Sequence, residues 1–186
     1  MNCMKKALVP IADGIEEIEA VCIIDTLRRA GAQVTVASVM SDLKITASRN
    51  TKLVADKLIQ ECIHETYDLI ALPGGMPGAN HLRDSKNLIE LLKKQHNENR
   101  YLGAICASPA VVLHTHNLLN NYRATCYPDM IHQLKNSQAV TERVVVDRNI
   151  ITSQGPGTAL EFALQLVEIL FGKTRQEELT RIMLVK

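Results

Sequence analysis

The chain of 186 residues has no tryptophan, two phenylalanines and four tyrosines. Single-stranded nucleic acids are held largely by stacking bases on aromatic rings, and this chain lacks such a platform. It is also nearly without net charge. Twenty-one Lys and Arg stand against 20 Asp and Glu, which leaves +1 with histidine neutral. Binding a phosphate backbone needs a concentrated basic face, whereas Arg28-Arg29 and Lys93-Lys94 are isolated pairs that read as solvated helix faces. No nucleic-acid patch is expected. No apolar run approaches the length of a membrane span, and the opening "MNCMKK" lacks the apolar core of a signal peptide.

Metal and nucleotide signatures are missing too. The five cysteines, Cys3, Cys22, Cys62, Cys106 and Cys126, are odd in number and scattered, with no C-x-x-C or other metal spacing. His114 and His116 are two apart and face different directions, while His64, His81, His96 and His132 lie in polar contexts and read as surface residues. None is placed to act as base for a cysteine. "GPGT" (155–158) is not G-x-G-x-x-G and lacks a phosphate-loop lysine. The expectation is a cytoplasmic protein with reduced thiols, no metal and no cofactor.

What is present is ordinary in amount: 46% hydrophobic and 22% charged residues, enough for one domain over 1–186. Strand-like and helix-like segments alternate. Lys6–Ile11 reads as a strand, followed by a helix from about Ile15 to Ala30 that Gly31 ends. "QVTVASV" (33–39) is a second strand, and 43–59 holds two extended pieces around Arg49-Asn50. "YDLIALPGG" (67–75) is a buried strand ending in a sharp turn, and 87–96 is an amphipathic helix. Leu102–Ile105 ends another strand, with a helix from Pro109 to about His116. Strands at 143–147 and 149–153 join at Asp147-Arg148, and 159–172 is a helix that Gly172 closes. Repeated strand–helix units with apolar strands predict an α/β, doubly wound, mainly parallel sheet covered by helices on both faces. Ligands in such sheets bind beyond the carboxyl ends of the strands. That nominates the turns 12–19, 73–80 and 105–109, with "QGPGT" as a further wall.

Cys106 stands at one of those turns. With Ser108 as cap and Pro109 at the first helical position, its thiol would lie beside a helix N-terminus. Unpaired N–H groups and the positive dipole end there favour a thiolate. The strand–nucleophile–helix order is like a hydrolase elbow, without the G-x-S-x-G residues. A packed, inert thiol is the alternative, and location alone leaves both open. In the first helix, an advance of about 100° per residue puts Glu16 and Glu19 on the arc of Ile15, Cys22, Ile23 and Leu27, and Glu17 on the side of Arg28. A carboxylate among apolar side chains has a raised pKa and would donate a hydrogen bond to a nearby thiolate. Acids in a first turn also complement the dipole, which is the plainer reading of Glu16 and Glu17. Gly74 and Gly75 allow backbone N–H groups to approach a substrate oxygen, or they make a tight turn and nothing more.

Four stretches, "ADGIEEIEA", "LPGGMPGA", "AICASPA" and "TSQGPGTALEFAL", occur in register over nearly the entire chain and resemble the ThiJ/PfpI superfamily. The resemblance is greatest to the branch of the Parkinson-disease-associated protein deglycase and bacterial YajL. It implies a flavodoxin-like fold, similar to class I glutamine amidotransferases, and a homodimer. It implies that Cys106 is the reactive, oxidisable cysteine and Glu19 the protonated acid that hydrogen-bonds its sulfur. Gly75 and Ala107 match positions whose N–H groups line a small anion pocket, and Glu16 and Arg49 match polar residues near that pocket and the dimer interface. Three positions depart. Tyr127 replaces a histidine of the human-like members, and a phenol is a weak base at neutral pH. Ala107 replaces the histidine of PfpI-type peptidases, which removes the main support for peptide cleavage. Gln154 replaces an arginine. The resemblance thus implies a cofactor-independent glyoxalase or deglycase acting on methylglyoxal-type aldehydes or early glycation adducts. The alternative is a redox-sensing stress protein or chaperone with an oxidisable Cys106.

Overall fold

A computed structural model describes residues 4–185, so Cys3 and the opening residues lie outside it. The chain lays down β1 (Lys6–Ile11), α1 (Glu17–Ala30) and β2 (Gln33–Ser38), then a hairpin of β3 (Lys44–Thr46) and β4 (Lys52–Val54). β5 (Lys57–Leu58) and β6 (Leu69–Leu72) follow, then α2 (Gly78–Asp84), α3 (Lys86–Asn97) and β7 (Tyr101–Ile105). Short pieces β8 (Arg123–Ala124) and β9 (Gln138–Ala139) precede β10 (Val144–Asp147) and β11 (Ile150–Ser153). The described chain ends in α4 (Ala159–Phe171) and α5 (Lys173–Ile182).

Seven strands form one sheet in the order β10-β11-β7-β6-β1-β2-β5. Every pairing in it is parallel except β10 with β11. The chain works outward from β1 to β2 and β5, then returns to β6 on the other side of β1. Right-handed crossovers in opposite directions put helices on opposite faces. α1 packs with α4 and α5, while α2 packs with α3. This is the flavodoxin-like, doubly wound α/β architecture expected. Its strand order reverses between β1 and β6, and a crevice opens at such a switch point.

The central strands are apolar runs because both faces are covered: Ala7, Leu8, Val9 and Ile11 of β1 are fully buried, as is Leu72 of β6. α1 stops where expected. Gly31 takes φ +100°, and the Ala32 N–H returns to Leu27 O at 3.0 Å, closing the helix end.

Several expectations need correction. α1 begins at Glu17, with Glu16 in extended conformation before it. α2 follows a Pro-Gly pair that reads as loop, and the polar α5 carries one buried residue, Leu179, too little for a periodic signal. The segment after Cys106 is a six-residue π-helical turn, Pro109–His114, shorter than the helix expected. His96 is half-buried at the amino end of the sheet, not on the open surface. Its ring lies 5.7 Å from that of Tyr122, and the Arg148 guanidinium stands over the Tyr122 ring, 3.5 Å from its centroid.

Candidate active site

β1, β6 and β7 end side by side, and the turns that follow them meet at the switch point. Cys106 is the first residue past β7. Its N–H donates to Ser153 O at 3.0 Å, and its carbonyl accepts the Tyr127 N–H at 2.8 Å. Gripped from both sides, it holds φ +63°. A residue with a Cβ enters that left-handed region at a cost of about 1–2 kcal/mol, so the surroundings impose it. The thiol is half-buried.

The Pro73–Gly75 turn lies directly on this elbow. A Cβ on Gly74 would stand 2.6 Å from Cys106 Cβ, and one on Gly75, at φ +87°, would stand 2.3 Å from Glu16 N. Only glycine lets the two turns come this close. The Gly75 and Ala107 N–H groups lie near enough to the Cys106 sulfur to favour its charged form. Gly74 does something else: its N–H donates to Glu19 Oε2 at 2.7 Å. That corrects the expectation that it serves an oxyanion.

Glu19 is fully buried. Its second oxygen, Oε1, has no hydrogen-bond partner, and the Cys106 side chain is near enough to act on its charge. Burial pushes its pKa up to about 7, against the pull of the Gly74 N–H, with the Glu16 charge adding to the rise. Burial, then the Glu19 charge, pushes the Cys106 thiol up to about 12, although the Gly75 and Ala107 N–H groups oppose this. The helix N-terminus expected to lower it is not formed as expected. The π-helical turn is short, and Ser108 does not cap it. The Ser108 hydroxyl donates instead to Pro73 O at 2.6 Å. The acid and the thiol act on one another, so their protonation is read as that of a pair. When Glu19 holds a proton, the repulsion is gone and the acid becomes a donor to sulfur.

Glu17 is the residue misplaced by the helical arc. It is buried, because the β3–β4 hairpin tip covers the first turn of α1. It accepts the Arg49 N–H at 2.9 Å and the Ser48 hydroxyl at 2.9 Å. Burial opposes its charge, but hydrogen bonds from its own N–H, Ser48, Thr51 and the Arg49 N–H hold it down to about 2. Glu16 stands beside it, with the Ser48 hydroxyl at 3.0 Å from Oε2. Arg49 contributes its main chain, while its exposed guanidinium donates to Ser48 O at 3.3 Å. The signal for Glu17 and Ser48 was there in outline: a polar hairpin tip and an acidic helix start, brought together by the return of the chain.

Tyr127 approaches through its backbone. Its ring is 42% exposed and stands over Gly155. Gln154 donates to Thr141 O at 2.8 Å and closes the loop before β10. Among the described residues, no group of three or more His, Cys, Asp or Glu side chains is arranged to hold a metal ion, and no helix is long and apolar enough to cross a membrane.

Residues 5–169 match the DJ-1/PfpI family. The chain belongs to that family. It is 51% identical over 178 residues to Protein DJ-1 homolog B of Arabidopsis thaliana, covering 96% of this chain but 41% of that protein. It therefore spans less than half the length of this relative. It is 34% identical to the glutathione-independent glyoxalase DJR-1.2 of Caenorhabditis elegans, covering 97% of each. Among solved DJ-1/PfpI structures, oxidised Toxoplasma gondii DJ-1 superposes with a TM-score of 0.95 at 49% identity, covering 97% of this chain and 98% of that one.

Proposed function

We propose that the chain is a cofactor-independent glyoxalase that converts methylglyoxal or glyoxal to lactate or glycolate, with early glycation adducts as a second class of substrate. The observation that carries this is one arrangement: a half-buried Cys106 in a left-handed elbow, facing the buried Glu19 and the Gly75 and Ala107 N–H groups. The glyoxalase name of the Caenorhabditis elegans relative supports it.

The Cys106 thiolate attacks the aldehyde carbon, and Glu19 gives its proton to the resulting alkoxide, which the N–H groups hold as it forms. The product is a hemithioacetal. Glu19, now a carboxylate, takes the proton from that carbon and returns it to the adjacent one, while the hemithioacetal hydroxyl proton passes to the adjacent carbonyl oxygen, so that this carbonyl becomes an alcohol and the first carbon a thioester. The electrons lost by one carbon are gained by its neighbour, so no external oxidant enters. Water then cleaves the thioester, releasing lactate and restoring the thiol. Glu16, Arg49 and Tyr127 line the approach without taking part in proton transfer.

Lactate formation from methylglyoxal, followed in wild type and in Cys106→Ala, tests the reading. Turnover lost in the variant is expected, and turnover that survives it would sink the proposal. A redox role for the same thiol draws support from the oxidised state of the Toxoplasma gondii relative. Peptide mass spectrometry after peroxide should then find Cys106 oxidised well ahead of the fully buried Cys62. The free thiols Cys22, Cys62, Cys106 and Cys126 suit a reducing cytoplasm, and we place the protein there.

A further inference from the structure

Ser108 is fully buried, and its hydroxyl is spent on neither helix capping nor solvent. It donates to Pro73 O at 2.6 Å. The other end of the same peptide unit, the Gly74 N–H, donates to Glu19 Oε2 at 2.7 Å. A trans peptide points its C=O and its N–H in opposite directions along one dipole. The Pro73–Gly74 unit is therefore held at both poles, between a serine on the elbow and the buried acid of α1.

We propose that Ser108 is a positioning residue that sets the orientation and protonation of Glu19 through the Pro73–Gly74 peptide. The inference rests on reading Glu19 and Cys106 as the reacting pair. Hydrogen bonds in series polarise one another. With Pro73 O accepting from Ser108, the Gly74 N–H is a stronger donor, and a stronger donor favours the Glu19 carboxylate over the acid. Burial drives Glu19 the other way. Ser108 thus opposes burial and keeps the proton exchangeable between oxygen and sulfur. The titratable groups that also act on Glu19 are Cys106 opposite it, Glu16 one turn before it and Cys22 one turn after it. Ser108 adds no charge to this set, so its effect travels through hydrogen bonds alone.

The full chain carrying Ser108→Ala tests this with two readouts that need no aldehyde turnover. One is the rate of Cys106 alkylation by iodoacetamide against pH. The other is the Gly74 amide proton in a sample labelled with 15N-glycine, which has nine glycines to resolve. In Ser108→Ala the lower step of the alkylation profile moves up by about half a pH unit, and the Gly74 proton moves upfield. Ser108→Thr keeps the hydroxyl and retains both wild-type values. If Ser108→Thr does not fold, the comparison of wild type with Ser108→Ala decides alone. Tyr122→Phe removes a buried hydroxyl bond to Asn149 at the other end of the sheet, 2.9 Å long in the native chain. It lowers the melting temperature and moves neither readout. The proposal is overturned if Ser108→Ala leaves both readouts unchanged, or if Tyr122→Phe shifts them equally. A chain that makes no lactate would still show the amide and alkylation shifts, so the two readings fail separately.

Discussion

Glu17 and Glu19 lie two positions apart in the first turn of α1, yet their carboxyls titrate in opposite directions. Glu17 faces the hairpin tip and is surrounded by donors, which hold it at about 2. Glu19 faces the sheet, where burial raises it to about 7. Each shift is a statement about stability against pH. A raised Glu19 stabilises the fold fully below its unfolded value of 4.5 and loses that contribution as pH climbs through about 7. A depressed Glu17 contributes above 4.5 and loses it as pH falls through about 2. Urea midpoints at about pH 5 and about pH 8 separate the two. The wild-type midpoint should drop at the higher pH, and Glu19→Gln should drop less, because its side chain has no proton to lose. Glu17→Gln should sit below wild type at both values. An equal drop in wild type and Glu19→Gln would remove the buried acid from this account.

At the scale of elements, two glycines show how differently one residue type is used. Gly31 ends α1 at φ +100° with nothing within 4 Å of an added Cβ. Gly31→Ala therefore meets only the conformational penalty, about 1 kcal/mol, or a melting temperature lower by about 2–4 °C. Cys106 alkylation should be untouched. Gly74→Ala is sterically blocked by Cys106 Cβ at 2.6 Å and Ala107 N at 2.8 Å. It should alter the alkylation of Cys106 even where the chain still folds, and a variant that alkylates as wild type does would refute the close fit. The helix end at Gly31 was legible because it is local: one residue type, one backbone conformation. The parallel, doubly covered sheet and the burial of Glu19 were legible because periodicity and apolar runs report which faces are buried. Glu17 was not, since it is covered by a hairpin whose Arg49 lies 32 residues later, and no helical wheel contains that contact. Ser108 was misread for a related reason. Its partner, Pro73 O, is 35 residues away, and a serine before a proline has the local appearance of a cap.

At the scale of the whole molecule, an apolar surface stands open where α1 meets the hairpin. Ile18 and Val21 on the outer side of α1 are 53% and 47% exposed, and Val54 on the hairpin is 70% exposed. Beside them lies a groove of about 250 Å³ whose apolar lining, Val21, Ile24, Leu53 and Val54, is edged by the charged Asp25, Arg28 and Asp56. Large apolar side chains left in water at adjoining elements mark an association surface, and the homodimer that the resemblance implies would cover this one with a second copy. The same hairpin reaches from that surface to the start of α1, where Ser48 and Arg49 are bound by Glu17. A partner seated on it would brace the hairpin tip and, through Glu16 and the Gly74 carbonyl at 2.9 Å, the turn that carries the anion-holding N–H groups. Sedimentation should therefore give twice the 20.6 kDa chain mass for wild type. Val21→Asp combined with Val54→Asp places like charges in the contact and should return it to 20.6 kDa. Separated chains should also alkylate at Cys106 with a broader pH profile, as the hairpin loosens and Glu17 loses its donors. Wild type sedimenting as single chains would refute the surface assignment, and unaltered alkylation in the separated variant would show that each copy holds its own site unaided.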